Sequence, residues 1–332
     1  MKTPKLHVLF IASILALALS IVGSLAFGAR FIQFPEVVET LITGNKDTMN
    51  ALVVHERIPR TVFGLLAGAA LGVSGTLMQA ITRNPIADPS ILGVNTGASL
   101  FVVSGIAFFG IGTASAYIWF ALVGATLTSI LVFGIGSMGS GGATPIKLAL
   151  AGAATSAALS SIVSAVILPR TDVMNAFRFW QVGSISGASW EGITTVLPFL
   201  LVGIFFGILA SPALDTLALG DDVATGLGVR TGLVRLVGAF SGILLCGATT
   251  ALAGPIGFVG LMVPHAMRML VGPNLRVIIP LSAIGGAVLL TTSDIIGRLI
   301  GTPGELEAGI VTAFIGAPIL IVIAMKARVR AL

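Results

Sequence analysis

Long apolar runs of about twenty residues recur along the chain and are separated by short polar connections. This length matches the hydrocarbon thickness that one helix has to cross. The runs are solidly apolar rather than alternating, which excludes the strands of an outer-membrane barrel. The pattern therefore predicts an all-α polytopic membrane protein with ten spanning helices, at residues 6–27, 61–81, 90–109, 117–136, 148–168, 190–210, 236–253, 256–270, 277–293 and 308–325.

One interior stretch, residues 214–235, breaks this pattern because it is long, polar and still helically patterned. Glycines and the pair Asp221 and Asp222 interrupt its apolar positions, so the sequence favours two short amphipathic helices over one spanning helix. Either aspartate could cap the second helix, where an acid satisfies free amide groups. We expect this stretch to lie at a membrane face and to contact a motor protein in water. The alternative is a solvated interfacial loop.

Composition agrees with a single membrane domain over residues 1–332. Apolar residues make up 56% of the chain and charged residues 9%, and the mean hydropathy is +1.07, far outside the range of soluble domains. The 42 glycines indicate closely packed helices. The single cysteine, Cys246, allows no internal disulfide and is expected to pack in the core.

The basic residues predict the orientation. Lys2 and Lys5 precede the first run, which is too long for a secretory signal, and Lys326 and Arg328 follow the last, so both termini are expected in the cytoplasm. With that topology eleven basic residues lie inside and seven outside, a weak bias. The outer ones need a reason of their own; they are Arg30, Lys46, Arg57, Arg60, Arg170, Arg178 and Arg298.

The energy source is expected to lie on another chain. Acidic residues fall in the connections or within about a turn of a span end, whereas an ion-coupled carrier generally needs ionisable groups deep in its helices. No GxxxxGK[ST] loop is present, so this chain has no phosphate loop for ATP. An ion-coupled carrier remains the alternative.

No catalytic or metal site is expected. The segment Gly72 to Gly75 has the GxSG form of intramembrane proteases, with His265 as the available base. However, Gly64, Gly68 and Gly72 are four residues apart, which is typical of close helix packing. The three histidines lack a partner at metal-ligand spacing.

Several motifs in order resemble the permease subunits of type II ABC importers for ferric siderophores, haem and cobalamin. The resemblance begins with RIPRTVFGLLAGAALGVSGTLMQAITRNPIADPSILGVNTGASL at 57–100 and continues with FWQVGSISGASW at 179–190, LGDDVATGLGV at 219–229, GPIGFVGLMVPHAMRMLVG at 254–272 and SDIIGRLIGTPGELEAGIVTAFIGAP at 293–318. It covers nearly the whole chain. One departure is Glu307, where proline is common in the family.

This resemblance implies a bacterial inner-membrane importer, most simply for a ferric siderophore, with haem or cobalamin as the alternatives. It implies ten helices per subunit and two permeases side by side, either identical or paralogous. It also implies two cytoplasmic ATPase subunits, which bind ATP and Mg²⁺ while this chain binds no cofactor, and an extracytoplasmic substrate-binding protein.

The resemblance also implies roles for particular residues. The coupling surface for the ATPase comprises Leu214, Leu217, Ala218, Leu219, Gly220, Asp221, Asp222, Ala224, Leu227 and Gly228. Docking of the binding protein falls to Arg57, Arg60 and Arg298, for which the alternative is local pairing of Arg57 with Glu56 or of Arg298 with Asp294. The cytoplasmic gate falls at Gly142, Ala143 and Thr144.

The run of small and hydroxyl residues at 148–168 is the candidate for the wall of the transport path. Its alternative is plain close packing.

Overall fold

The computed structural model describes residues 3–139 and 144–329. Across these residues the chain forms thirteen α-helices and one short 3₁₀ helix, Pro89–Leu92. The α-helices are α1 Thr3–Ala26, α2 Phe34–Thr43, α3 Met49–Thr82, α4 Val94–Phe109, α5 Ala114–Ser137, α6 Pro145–Ile167, α7 Thr171–Gln181, α8 Trp190–Leu217, α9 Asp221–Gly226, α10 Thr231–Ala253, α11 Val259–Val271, α12 Leu275–Ile300 and α13 Ala308–Val329.

The all-α polytopic fold is confirmed. Within the described ranges, seven helices are long and apolar enough to cross a membrane: α1, α3, α5, α6, α8, α10 and α12. Three shorter apolar helices, α4, α11 and α13, correspond to the remaining predicted spans. The helices α2, α7 and α9 lie in the connections between spans.

Several spans are longer than their apolar runs, and two of the extensions carry charged residues that pair with each other. Helix α3 begins at Met49 rather than at residue 61, and α12 continues to Ile300 rather than stopping at residue 293. The hydropathy pattern ends where charged residues begin, but backbone hydrogen bonding continues as long as those side chains find partners. Consequently Arg57, Arg60 and Asp294 lie inside helices, and the expectation that all acids lie in connections or near span ends is wrong for Asp294.

Helix α3 packs against α12 with backbone in contact with backbone. A methyl group added at Gly68 would overlap the carbonyl of Gly286, and one added at Gly72 would overlap the carbonyl of Ser282. The GxxxG spacing therefore marks close helix packing, as predicted. Ser74 is buried and its hydroxyl donates to the carbonyl of Gly242 at 2.6 Å, which favours packing over the protease alternative.

We predict that Gly72→Ala destabilises the fold by about 1–3 kcal/mol, because the added methyl forces α3 away from α12. The matched control is Gly134→Ala on α5, where the new methyl meets open space. The control should leave stability unchanged or raise it slightly, since alanine favours helix over glycine. The measurement is the thermal unfolding midpoint of the detergent-purified protein, and equal midpoints for the two variants would contradict the packing assignment.

Candidate functional site

The N-terminal part of α3, which the predicted topology places at the outer face, carries a buried arginine that holds the end of α1. Nη1 of Arg57 donates to the carbonyls of Leu25 and Ala26 at 2.8 and 3.1 Å, and Nη2 donates to the carbonyl of Arg30 at 2.7 Å. These carbonyls lie at and just beyond the end of a helix, where backbone acceptors lack a partner within the helix. Arg57 is 7% exposed, so its guanidinium is occupied by the fold.

Arg60 and Arg298 share one buried carboxylate. Nη2 of Arg60 lies 2.7 Å from Oδ1 of Asp294, and Nε of Arg298 lies 3.1 Å from Oδ2. Arg298 also donates to the carbonyls of Ser24 and Phe27 at 3.0 and 2.9 Å. Asp294 therefore ties α3, α12 and the end of α1 together.

Glu305 is the second acid of this group and lies on its exposed side. The group, called the arginine cluster below, comprises Arg57, Arg60, Arg298, Asp294 and Glu305. Nη1 of Arg60 lies 2.7 Å from Oε2 of Glu305, whose side chain is 37% exposed. Arg60 and Arg298 thus share two carboxylates, and with Arg57, which donates to backbone carbonyls, the cluster has a formal charge of +1. Sequence reasoning weighed the pair of Arg298 with Asp294, four residues apart on one helix, but missed the contacts of Asp294 and Glu305 with Arg60.

For these arginines the alternatives are docking of a binding protein and local pairing with a neighbouring acid. The local pair of Arg298 with Asp294 is present, whereas no pair of Arg57 with Glu56 forms among the described residues. Arg57 and Arg298 are buried, at 7% and 2% exposed. A partner that reaches this cluster without rearranging it therefore meets Arg60 and Glu305 first, and the docking role stays a prediction.

At the opposite face, the predicted coupling residues divide into an inward and an outward set. Leu214, Leu217 and Ala224 are fully buried against the bundle. Leu219 and Leu227 are 64% and 65% exposed. Ala218 and Asp222 are exposed as well, and so is Val223, which was not among the predicted contacts. The exposed large apolar residues here, Leu219, Val223 and Leu227, are called the apolar stripe below; Val223 lies within α9 and the other two flank it.

The local structure of this surface differs from the prediction in two ways. Only α9 is a separate short helix, because α8 continues unbroken to Leu217 through Pro212. No side-chain cap forms on α9, whose N-cap is Gly220. Nη2 of Arg235 instead donates to both oxygens of Asp221, at 2.8 and 2.9 Å, and Arg83 lies 3.8 Å from the same carboxylate. These cations take the place of the backbone N–H groups that a cap would bind. Two glycines bound α9 with positive φ, 114° at Gly220 and 84° at Gly228.

The predicted gate lies mostly outside the described residues. Gly142 and Ala143 belong to the segment between residues 139 and 144 that is not described. Thr144 caps α6, where its hydroxyl accepts from the backbone N–H of Lys147 at 3.4 Å. The gate therefore stays a prediction.

Helix α6 presents a surface of small and hydroxyl side chains. Its exposed small residues are Ala153, Ala154, Ala157, Ala158, Ser160, Ser161, Ser164 and Ala165. Beside it lies a cavity of about 280 Å³ lined by Asn95, Thr96, Ser99, Ser160, Val163, Ser164, Gln181 and Pro255. None of these lining residues is charged, so the cavity offers hydrogen bonds without a fixed charge.

Metal ligands are not grouped in the part of the chain that the structure describes. No set of three His, Cys, Asp or Glu side chains there could hold a metal ion. Cys246 is buried, and its thiol contacts Oδ1 of Asn95 at 3.8 Å.

Comparison with known proteins decides the family. The matching family model covers residues 15–326, nearly the whole chain. The chain belongs to the FecCD transport family. As a FecCD protein it is a transmembrane permease subunit of an ABC transporter and not the ATPase.

Curated FecCD relatives match over most of their length. The ferric enterobactin transport system permease protein FepD of Escherichia coli strain K12 is 42% identical, over 93% of this chain and 92% of the relative. The Fe(3+)-citrate import system permease protein YfmD of Bacillus subtilis strain 168 is 40% identical, over 95% of this chain and 94% of the relative.

Solved structures agree with the FecCD fold. A metal-chelate type ABC transporter in an inward-facing conformation matches with a TM-score of 0.83 and 28% identity, over 97% of this chain and 99% of that chain. PsaBC from Streptococcus pneumoniae, solved with a Fab, matches with a TM-score of 0.53 and 16% identity, over 87% and 95%, and shares the fold alone.

We predict that Asp294→Ala destabilises this FecCD permease by about 3–5 kcal/mol, because it leaves two largely buried arginines without their shared carboxylate. Glu305→Ala removes an acid from the same cluster but from its exposed edge, and should cost only about 0.2–1 kcal/mol. Thermal unfolding in lipid nanodiscs measures both variants. A loss for Asp294→Ala no larger than that for Glu305→Ala would contradict the central role of Asp294.

Proposed function

We propose that this permease carries an iron chelate, most simply a ferric siderophore, across the bacterial inner membrane. The observation that carries the proposal is the identity of 42% and 40% to permeases whose names specify ferric enterobactin and ferric citrate, over more than nine-tenths of each chain. A separate extracytoplasmic protein delivers the chelate, and separate ATPase subunits supply energy from ATP and Mg²⁺. Haem and cobalamin are the alternative cargoes.

The ion-coupled carrier is disfavoured by the surroundings of Asp294. A coupling acid has to bind and release its ion during each cycle. Arg60 donates to both oxygens of Asp294, and Arg298 lies against Oδ2, so the carboxylate is already neutralised by fixed charges. Membership of an ABC permease family also accounts for the energy source without such a group.

The surface of α6 and its uncharged cavity suit the wall of the transport path. The hydroxyl of Ser164 already donates to a backbone carbonyl of α6, but the amide side chains of Asn95 and Gln181 in the cavity suit water or a polar cargo better than lipid. A wall that binds its cargo weakly also allows release at the end of the cycle. In the assembly that we propose, the α6 helices of two permeases face each other across this path.

The gate that we propose closes this path at its cytoplasmic end. It lies before α6, at Gly142, Ala143 and Thr144, where small residues allow two subunits to meet closely and part again. Four spans precede the gate, so the N-terminus lies on the same, cytoplasmic side. Six more spans follow, so we place the C-terminus there as well.

The apolar stripe of Leu219, Val223 and Leu227 is the proposed seat of the ATPase. Three large apolar side chains exposed on one short helix and the residues that flank it are costly in water unless a partner covers them. Their position between α8 and α10 lets a displacement of α9 reach two spanning helices directly.

At the outer face we propose that an acidic side chain of the binding protein reaches Arg60. Guanidinium can grip two carboxylates, but Arg60 already contacts Asp294 and Glu305. Glu305 is the exposed member and makes a single short contact, so a partner acid would compete with it. Arg57 and Arg298 support the cluster from below through their bonds to α1 and the turn that follows it.

The function is tested by reconstituting the permease with its ATPase and binding protein in lipid vesicles. We expect ATP-dependent accumulation of a radioactive ferric chelate, and none with a hydrolysis-deficient ATPase or in response to an imposed proton or sodium gradient. Parallel assays with haem and cobalamin distinguish the cargoes. Uptake driven by an ion gradient without ATP would overturn the proposal.

For the docking proposal, we predict that Glu305→Gln strengthens association of the binding protein by about 1.5- to 5-fold, since one exposed ion pair is worth about 0.2–1 kcal/mol. The control is Glu56→Gln, which removes the same single negative charge from the helix that carries Arg60. Glu56 pairs with no cation in the described chain, so its loss should not free Arg60. Binding to nanodisc-embedded importer is measured at low and high salt. If both variants behave alike, Glu305 does not compete for Arg60.

A further inference from the structure

Helix α9 is too short to hold its own orientation. It has six residues, and helices of this length do not persist without outside contacts. The glycines on either side, Gly220 and Gly228, have positive φ and open space around them, so they give α9 little lateral support. Within the described chain, its contacts with the bundle are the buried Ala224 and the side chain of Asp221.

The contact through Asp221 is a charged one with a buried partner. Nη2 of Arg235, on the first turns of α10, lies 2.8 Å from Oδ1 and 2.9 Å from Oδ2 of Asp221. The Arg235 side chain is 6% exposed and that of Asp221 is 43% exposed. Arg83, which ends α3, approaches the same carboxylate at 3.8 Å. One carboxylate on α9 therefore meets cations from α3 and α10.

We propose that Asp221 and Arg235 form a clamp that fixes the rotation of α9 about its axis. With the clamp closed, Ala224 faces the bundle and Val223 faces water. The clamp keeps the apolar stripe turned outward, so that displacement of α9 by a bound motor is passed to α10 instead of being lost as rotation. Asp221 and Arg235 are positioning residues. This inference rests on the proposed function, in which the ATPase binds α9.

The burial of Arg235 separates this role from direct contact with the ATPase. A buried guanidinium does not reach a partner protein, so the change Arg235→Gln acts on the ATPase indirectly. If Asp221 works through the clamp, Asp221→Asn and Arg235→Gln should have the same effect, and the double variant should be no worse than either. Exchanging the charges, Asp221→Arg with Arg235→Asp, should restore part of the loss.

The rotation itself is measured by cysteine labelling of nanodisc-embedded permease, with maleimide as the probe. The native Cys246 is buried and gives a low background. We expect Val223→Cys to react faster than Ala224→Cys, and the added change Asp221→Asn to bring the two rates several-fold closer. Unchanged rates after breaking the clamp would overturn the proposal. Asp221→Asn keeps the side-chain size at a half-exposed position, so this arm stands even where Arg235→Gln fails to fold.

Transport is measured in vesicles as chelate imported per ATP hydrolysed. We expect a several-fold lower ratio for Asp221→Asn and Arg235→Gln, without further loss in the double variant. The control is Arg178→Gln, which removes the same charge from an exposed arginine on α7, outside the stretch that contacts the motor, and should leave the ratio unchanged. Additive losses, or a loss for Asp221→Asn alone, would show that Asp221 contacts the ATPase directly. Absence of ATP-driven uptake by the unaltered importer would instead refute the proposed function.

Discussion

The close approach of α3 to α12 is the contact on which the rest of this bundle depends. In a bilayer the hydrophobic effect does not drive helices together, so their association depends on dispersion contacts and on backbones that come near each other. Gly68 and Gly72 place the α3 backbone directly against the carbonyls of Gly286 and Ser282. We call this contact between α3 and α12 the seam. Because α3 is also packed against α1, α8, α10 and α11, the seam sets the position of most of the other spans.

The seam also explains why charges are tolerated at the outer end of the bundle. Once α3 and α12 are held together, Arg60 and Asp294 face each other across the interface at 2.7 Å. A buried carboxylate between two guanidinium groups compensates charge that would otherwise have to be solvated. The remaining donors of Arg57 and Arg298 go to backbone carbonyls at the end of α1, which satisfies both partners at once.

Apolar periodicity and spacing predicted most of the fold, because helix length and glycine contacts are local properties of a sequence. The ten spans and the packing role of Gly68 and Gly72 follow from such patterns. The partners of Arg60 did not, since Asp294 and Glu305 lie more than 230 residues away along the chain. The start of α3 at Met49 did not either, since its cap, Thr48, lies outside the apolar run. Likewise, both aspartates of α9 suited a cap, and only the fold shows that Arg235 engages Asp221.

Helix α3 runs between the two faces of the molecule, from the arginine cluster to the neighbourhood of α9. Helix α3 has 34 residues and spans about 50 Å at 1.5 Å per residue. The N-terminal third of α3 contains Arg57 and Arg60. The helix ends at Arg83, a non-glycine residue with a positive φ of 51°, whose guanidinium lies beside Asp221. A displacement of α9 thus has a packed, rigid route to the outer arginine cluster through α3, whose central turns are fixed to α12. Because close-packed helices shift as units rather than deform continuously, the same contacts that stabilise the bundle can carry motion between its faces.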